Sequence, residues 1–559
     1  MVQEATVNVI VKPGNQSLTV PAGTRLEDLA KEFVTPETGV IVAAMVDNRL
    51  LDLHTTLDSD CTVEFVDLRS TAGQRIYQRS AVMILLKATQ DVLPGAQVSI
   101  EHSLSNGLYG EIHWSSPIGP EEIKLIAGRM RELVEADLPI SKETVSLEQA
   151  LDYFASLEQW DKVELLKGRQ SNSSEAQTCT MYSLLDFKDY YYSYVVPSTG
   201  YISSFRLHFY LPGFILQIPA RHSPQMIPPY KEQPKLAAIF REAERWGQVE
   251  GVEYVGSLNK IIKTGNIKEL ILVSEALHEK KTMEIADLIV KNGETRVILI
   301  AGPSSSGKTT FAQRLRLHLR VNGLRPVAIS LDDYFVDREK TPRDEEGHYD
   351  FESIEAIDLE LFNSDLAKLI QGEPINLPTF DFREGRRRYE GRTLQISSDQ
   401  PIILEGIHGL NDRLTESIPA AHKFKIYISC LTQLNLDAHN RIPTTDVRKI
   451  RRIFRDYQFR NHSAEATLNM WTRIRRGEER NIFPFQENAD VMFNSALPYE
   501  LAVLKPLVEP LLREIPPTSE QYSEAQRLLK FLSYFLPLAP DDVPKTSILQ
   551  EFLGNSAFS

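Results

Sequence analysis

The stretch "AGPSSSGKTTF", residues 301–311, decides the fold, because its two glycines, lysine and hydroxyl have the spacing of a phosphate-binding loop. The apolar segment "RVILI" precedes it and "AQRLRLHL" follows, and their spacing predicts a strand and an amphipathic helix. A glycine-rich turn between a strand and a helix directs backbone N–H groups towards an anion. The sequence therefore predicts an α/β domain, built on a parallel sheet, that binds a nucleoside triphosphate.

The residues of this loop are expected to bind ATP and Mg2+. Gly302 and Gly307 let the backbone wrap inward. Lys308 should reach the β and γ phosphates, and the hydroxyl of Thr309 should bind Mg2+. The residues expected to contact the nucleotide are Gly302, Ser304, Ser305, Ser306, Gly307, Lys308, Thr309 and Thr310. The loop alone fits a GTPase, a motor ATPase or a small-molecule kinase, but the GTPase signature NKxD does not follow it.

Two later segments read as strands that end in carboxylates. "RPVAISLDDYF" ends in Asp332 and Asp333, and "QPIILEG" contains Glu405. Ligands of open α/β sheets lie at the C-terminal ends of the strands, which places these carboxylates beside the phosphates. One aspartate is expected to accept the proton of an alcohol during phosphoryl transfer, and Glu405 to bind Mg2+ together with Thr309. A turn-capping aspartate pair and a buried structural glutamate are the alternatives.

A basic segment, "RIPTTDVRKIRRIFRDYQFRNH", covers residues 441–462. Helical spacing puts Arg448, Arg452 and Arg455 on one face, with Arg451 beside it. In an acidic protein such a cluster fits a lid that brings cations to the transferring phosphate. A solvated basic helix is the alternative.

Together these segments resemble the uridine kinase and phosphoribulokinase family over roughly residues 295–500. "SLDDYF" resembles the family segment "S-x-D-S-F-Y", which implies that Asp332 is the catalytic base and that Phe335 borders the substrate. "HYDFESIEAID" resembles "NFDHPDAFD", which implies that Asp350 holds the ribose hydroxyls. "LPTFDF" resembles "VPxYDF" and gives Phe380 the place that stacks on the base; Phe380 and Phe382 stand beside five arginines in "TFDFREGRRRYEGR".

The same resemblance extends to the metal site and the lid. "ILEGIHGL" resembles the strand that supplies the Mg2+ carboxylate, here Glu405, and "RRIFRDYQFRN" resembles the lid segment "RRxxRDxxxRG". The implied catalytic residues are Asp332, Lys308, Arg455 and Arg460, the implied substrate residues are Phe335, Asp350, Phe380 and Arg452, and the implied metal ligands are Thr309 and Glu405. Gly385 stands where the family has a histidine that helps to read uracil, and His462 where it has an arginine.

The resemblance implies an ATP- and Mg2+-dependent kinase that transfers the γ-phosphate to the 5'-hydroxyl of uridine, cytidine or a related nucleoside. A phosphoribulokinase-like sugar phosphate kinase is an alternative, in which the arginine-rich loop 383–392 holds the sugar phosphate. A second alternative is an RNA-associated regulator that uses nucleotide binding as a switch.

The N-terminal half resembles other modules. Residues 1–68 show the hairpin, helix and strand order of a β-grasp fold and resemble a TGS domain, and residues 70–220 resemble the editing domain of threonyl-tRNA synthetase. The synthetase's three histidines and one cysteine are replaced, so neither a metal nor deacylation is expected there; the replacing residues are Arg79, Met83, Tyr191 and Val195. The remaining ranges are expected to be a helical linker at 221–293, the kinase domain at 294–515 and a helical tail at 516–559.

Composition limits the partners. The formal net charge of −14 disfavours nonspecific binding to nucleic acid or anionic membrane, so binding of tRNA or RNA by the N-terminal half is kept only as an alternative. Three well-separated cysteines fit a reducing cytosol, and no apolar run approaches the ~20 residues that span a bilayer. We therefore expect a cytoplasmic protein with a small-molecule substrate and leave a homo-oligomer open.

Overall fold

The N-terminal unit of the computed structural model is a mixed sheet beside a short helix. The model describes residues 5–35, 38–169, 177–344, 346–381, 384–432 and 434–558, so Phe382 and Arg383 lie outside it. The elements of this unit are β1 (Thr6–Lys12), β2 (Gln16–Pro21), β3 (Thr24–Arg25), α1 (Leu26–Ala30), β4 (Ile41–Val46), β5 (Arg49–Leu51), β6 (Thr56–Leu57) and β7 (Cys61–Asp67). The main sheet has the order β2-β1-β7-β4-β5, with β1 parallel to β7. The hairpin, helix and strand order expected from the sequence is observed.

The second unit contains a long buried helix and two antiparallel sheets. Its elements are α2 (Thr71–Val92), β8 (Gln97–Leu104), β9 (Gly107–His113), α3 (Pro120–Glu135), β10 (Ser141–Ser146), α4 (Leu147–Ser156), α5 (Trp160–Gly168), β11 (Thr178–Leu184), β12 (Phe187–Tyr190), β13 (Arg206–Tyr210) and β14 (Gly213–Gln217). The sheets have the orders β13-β14-β9-β8 and β10-β11-β12. Helix α2 is buried along most of its length and forms a core with α3 and the first of these sheets.

The range 221–293 is helical, as expected, but it is not a linker. It contains α6 (Pro234–Glu250), α7 (Val255–Thr264) and α8 (Ile267–Asn292). Apolar residues of α8 share one core with the phosphate-loop helix and the parallel sheet, and Arg314 donates to Glu279 Oε2 at 2.6 Å. Helices α4 and α5 join the same core, so the apolar core crosses the boundary expected at residue 220.

The C-terminal half is built on a parallel five-stranded sheet. Its elements are β15 (Val297–Ala301), α9 (Lys308–Val321), β16 (Val327–Ser330), α10 (Leu359–Ile370), β17 (Ile375–Asp381), β18 (Arg386–Leu394), β19 (Ile402–Glu405), β20 (Lys423–Ser429), α11 (Thr444–Arg460), α12 (Ala464–Asn481), β21 (Val491–Asn494), α13 (Glu500–Arg513), α14 (Tyr522–Leu532) and α15 (Gln550–Leu553). The strand order is β16-β19-β15-β20-β21, and every neighbouring pair is parallel. The parallel sheet expected from the phosphate loop is therefore confirmed.

The central strand shows why this sheet forms. All five residues of β15, "VILIA", are buried, and their alternating side chains enter different cores on the two faces of the sheet. Strands covered on both faces are typical of parallel sheets with helical crossovers. The loop after β15 consequently starts at the C-terminal edge of the sheet, beside the ends of β16 and β19. No helix in the described part of the chain combines the length and apolar character needed to cross a membrane.

Buried ion pairs join the N-terminal half to the C-terminal half. Arg75 of α2 donates to Asp446 of α11 at 3.2 Å and to Glu524 of α14 at 3.1 Å. Lys162 of α5 pairs with Asp189, whose other oxygen lies 2.6 Å from Nδ1 of His439. The helix that carries the expected lid therefore begins against the N-terminal half.

Candidate active site

The phosphate loop has the backbone geometry that its sequence predicts. Gly307 adopts a left-handed conformation, with φ of +83°, immediately before α9 begins at Lys308. A Cβ at Gly302 would lie 2.0 Å from the carbonyl oxygen of Ile428 on β20, so only glycine fits. The hydroxyls of Ser305 and Ser306 are buried without a hydrogen-bond partner in the described structure. These features leave N–H and O–H donors around the loop for an anion.

The two residues expected to bind Mg2+ lie together. The hydroxyl of Thr309 donates to Glu405 Oε1 at 2.7 Å, joining the start of α9 to the end of β19. Burial raises the pKa of Glu405, and the nearby charge of Lys308 opposes this rise. A hydroxyl and a carboxylate are hard oxygen ligands of the kind that Mg2+ takes in kinase sites. The residues present therefore fit this metal.

Lys308 lies in the loop that it was expected to complete. Its ammonium donates to the carbonyl oxygens of Gly302 at 3.1 Å and Pro303 at 3.2 Å. Burial lowers the pKa of Lys308, whereas the carboxylates of Glu405 and Glu551 act to raise it. The cation is thus held where a phosphate would be bound.

Asp332 and Asp333 follow β16 on a 3-10 turn, Leu331–Tyr334, and both line the same cavity as the loop. Burial raises the pKa of Asp332, and the charges of Lys308 and Arg460 oppose this rise. Asp333 accepts a weak hydrogen bond from the N–H of Phe380 at 3.4 Å. Asp332 is therefore the freer of the two carboxylates to accept a proton.

The expected substrate residues are brought together only in part. Phe335 lines the cavity, and its ring packs edge-on against Phe380 at 5.6 Å and against Phe351 at 6.2 Å. Among the described residues, the cavity wall includes Phe351 but neither Asp350 nor Phe380. Asp350 pairs with Arg480, and Phe380 is buried beneath Phe335. Asp350 and Phe380 therefore do not line the cavity in this conformation.

Three lid arginines converge on one buried carboxylate. Arg452, Arg455 and Arg460 all line the cavity and pair with Asp456, at 2.9, 2.7 and 3.5 Å respectively. Arg452 also donates to the hydroxyl of Ser304 at 2.6 Å, and burial lowers the pKa of Arg452 to about 10. The lid cations are thus already oriented towards the loop.

The other two arginines of the basic face do not serve the cavity. Arg448 is fully buried in a bidentate pair with Glu478, and Arg451 is fully buried in a pair with Glu500. Helical spacing correctly places Arg448 on the same face as Arg452. It does not reveal that a carboxylate of α12 neutralises Arg448 and that one of α13 neutralises Arg451. The expectation that Arg448 and Arg451 act as lid cations was wrong.

Four groups at the site were not expected from the sequence. Glu478 accepts from the N–H of Ser304 at 3.0 Å, and Glu551 accepts from the N–H of Thr310 at 3.1 Å. Burial raises the pKa of Glu352 to about 7, and burial lowers the pKa of His408 to about 4, so His408 is neutral. The residues concerned, all lining the cavity, are Glu352, His408, Glu478 and Glu551. Glu352 and His408 lie within the quoted segments "HYDFESIEAID" and "ILEGIHGL" but were not singled out there, and no quoted motif contains Glu478 or Glu551.

The positions that correspond to the synthetase editing site are filled by packed side chains. Met83, Tyr191 and Val195 belong to the core of the second unit. Arg79 donates to the carbonyl oxygen of Tyr194 at 2.6 Å.

The cavity between loop, strand ends and lid has a volume of about 820 Å3. A phosphate loop on a parallel sheet, with a hydroxyl–carboxylate pair and arginines around one cavity, is the arrangement of a P-loop phosphotransferase. Residues 297–501 match the model of the Phosphoribulokinase / Uridine kinase family. The resemblance that the motifs indicate is thus confirmed for this part of the chain.

Solved kinase structures match the chain with low sequence identity and low TM-scores. A structure of a possible uridine kinase from Bacillus stearothermophilus is 22% identical, with a TM-score of 0.25, and the match covers 38% of this chain and 98% of that one. The D-glycerate 3-kinase from Cryptococcus neoformans is 15% identical, with a TM-score of 0.19, and the match covers 50% of this chain and 89% of that one. The fold assignment rests on the sheet order and the loop.

The N-terminal half is similar to threonine–tRNA ligases. That of Pelobacter propionicus is 29% identical over 198 residues, which is 35% of this chain and 30% of the ligase. That of Methylococcus capsulatus is 30% identical over 203 residues, 34% of this chain and 30% of the ligase. The chain therefore spans about a third of the length of these relatives.

Proposed function

We propose that this chain is an ATP- and Mg2+-dependent nucleoside kinase that transfers the γ-phosphate to the 5'-hydroxyl of uridine, cytidine or a related nucleoside. The observation that carries the proposal is that Lys308, the bonded pair of Thr309 and Glu405, and Asp332 line one cavity. A phosphate-binding cation, oxygen ligands for a hard metal and a carboxylate base are the parts that phosphoryl transfer to an alcohol needs. The family match over residues 297–501 supports the same reaction class.

Each side chain has a defined part in this reaction. The loop amides and Lys308 bind the phosphates, and Thr309 and Glu405 would hold Mg2+, which neutralises charge on the phosphate oxygens when bound. Asp332 accepts the proton of the acceptor hydroxyl at its carboxylate, and its raised pKa makes it a stronger base than an ordinary aspartate. Arg455 and Arg460 stabilise the negative charge that spreads over the transferred group.

The acceptor is tested by assaying the purified full chain with ATP and Mg2+ against uridine, cytidine, adenosine, guanosine and ribulose 5-phosphate. We expect phosphorylation of a pyrimidine nucleoside at its 5'-hydroxyl. The matched control is Lys308→Met, which removes the phosphate-binding cation and so identifies any contaminating kinase. If no compound in the panel is phosphorylated by the wild type above this control, the proposed function is wrong.

One observation favours the sugar phosphate alternative. Arg392 of β18 lines the cavity close to Asp333, and a cation there suits an acceptor that already carries a phosphate. Arg392→Ala should then abolish turnover of ribulose 5-phosphate, while Arg320→Ala, at an exposed position in the last turn of α9, should leave it unchanged. If nucleosides are the acceptors, Arg392→Ala should change their KM little.

We further propose that residues 1–68 are a TGS-like module and 70–220 a synthetase-like module that support the kinase rather than bind tRNA. The pairs of Arg75 with Asp446 and of Asp189 with His439 support this role, because they tie the lid helix and the segment before it to the N-terminal half. A salt-dependent affinity of the full chain for tRNA would contradict it.

A further inference from the structure

The C-terminal segment, residues 547–554, packs directly on the phosphate loop. A Cβ at Gly307 would come within 2.4 Å of Cγ2 of Ile548, whose side chain is fully buried. The guanidinium carbon of Arg451, whose Nη1 reaches the carbonyl oxygen of Ser305 at 3.4 Å, lies 5.0 Å from the centre of the Phe552 ring. The segment therefore forms part of the wall of the donor site.

One carboxylate of this segment binds a loop amide. Glu551 Oε2 accepts from the N–H of Thr310 at 3.1 Å. Thr310 is in the first turn of α9, where N–H groups have no partner within the helix, and amides of this turn and loop cradle the α and β phosphates of a bound nucleotide. Glu551 thus holds an amide that a donor phosphate requires.

The surroundings of Glu551 differ from those of Glu478, the other carboxylate on the loop. Glu478 is fully buried and fixed by two guanidinium nitrogens of Arg448, so it is a permanent part of the wall. Glu551 is half-buried, and in the described part of the chain its carboxylate has no ion pair within 4.0 Å. Its negative charge adds to that of Glu405 beside Lys308. The single bond to the Thr310 amide is therefore one that a stronger anion can replace.

We propose that Glu551 is a built-in competitor for the donor phosphates, and that the C-terminal segment must withdraw it before a nucleoside triphosphate binds. The inference rests on the donor half of the proposed function and adds regulation of that site. When only a fraction of the molecules is in the binding-competent state, the apparent Kd equals the intrinsic Kd divided by that fraction. The resting segment therefore weakens the affinity for ATP.

The test measures binding of Mg-ATP and of tripolyphosphate to the full chain by calorimetry. Glu551→Gln removes the competing charge, and we expect the Kd for both ligands to fall about fivefold or more. Glu551→Ala, which also removes the acceptor oxygen, should tighten binding at least as much. The matched control is Asp541→Asn, which removes an exposed carboxylate of the same C-terminal region. Unchanged or weaker binding in both Glu551 variants would overturn the proposal.

Substitution is preferable to deletion, because Ile548 and Phe552 are fully buried and their loss would disturb folding. Hydrogen exchange provides a second readout: tripolyphosphate should increase exchange at the amide of Gly554, which donates to Gln550 at 2.9 Å. Tighter binding in Glu551→Gln without phosphorylation of any acceptor would uphold this inference and refute the nucleoside kinase. Turnover by the wild type together with an unchanged Kd in Glu551→Gln would uphold the nucleoside kinase and refute this inference. If the chain binds neither Mg-ATP nor tripolyphosphate, both the inference and the proposed function are refuted.

Discussion

At the scale of single residues, some active-site groups belong to a local sequence motif, and others come from distant positions in the chain. Lys308, Thr309 and Glu405 could be predicted, because a loop and a strand end fix their positions. Glu478 and Glu551 bond to loop amides from 174 and 241 residues away, and no local pattern indicates such contacts. The positions of Lys308, Thr309 and Glu405 at one cavity were thus predictable, but the carboxylates that bond to two of the loop amides were not.

Glu352 gives a prediction at this scale. Burial and the nearby Glu478 raise the pKa of Glu352 to about 7, above its ordinary value near 4.5. The folded state therefore binds the proton of Glu352 more tightly than the unfolded state does. The contribution of this protonation to the free energy of unfolding is fully present below pH 4.5 and is lost as the pH rises through 7. Glu352→Gln, which stays neutral, should melt about 2 °C or more above wild type at pH 8, with the difference vanishing towards pH 4.5.

The measurement is the thermal unfolding midpoint of both proteins between pH 4.5 and 8.5. The control is Glu360→Gln, at an exposed position of α10, for which no such pH dependence is expected. A difference between Glu352→Gln and wild type that stays constant across this range would rule out the raised pKa.

At the scale of elements, the lid helix shows what periodicity can and cannot reveal. The spacing of its arginines predicted one basic face, and Arg452 and Arg455 do line the cavity. The same helix buries Arg448 and Arg451, because Glu478 and Glu500 arrive from later helices to neutralise them. Helical spacing determines the direction in which each side chain leaves the helix axis, but it does not indicate which residues of other elements pack against that side chain.

Asp456 of α11 gives the prediction for this element. It is fully buried and accepts from the guanidinium of Arg455 at 2.7 and 3.0 Å, while Arg452 and Arg460 lie within 3.5 Å. Asp456→Asn leaves these cations without their shared counter-ion, which should lower the free energy of unfolding by about 3 kcal/mol and kcat by about tenfold or more.

Urea unfolding and steady-state kinetics measure the two effects. Glu346→Gln is the control, because it breaks a solvent-exposed pair with Arg476, and such pairs contribute little to stability. A stability of Asp456→Asn equal to that of this control would show that Asp456 does not organise the lid.

At the scale of the whole molecule, the sequence predicted the modules better than their boundaries. The parallel sheet follows from the hydrophobic patterns and the phosphate loop, and it is observed. The range 221–293 was expected to be a helical linker, yet α8 packs into the core of the C-terminal half. The pairing of Arg75 with Asp446 shows the same limit, since only the folded chain reveals that the N-terminal half contacts α11.

The central claim is that the full chain transfers a phosphoryl group with Asp332 as the base. The measurement is kcat for the accepted substrate in wild type and Asp332→Asn, together with the Kd for ATP in both, and Asp333→Asn as the neighbouring control. The claim predicts that Asp332→Asn loses about 100-fold or more in kcat while its Kd for ATP stays within about threefold, and that Asp333→Asn loses far less. Near wild-type turnover in Asp332→Asn, with ATP binding intact, would contradict it.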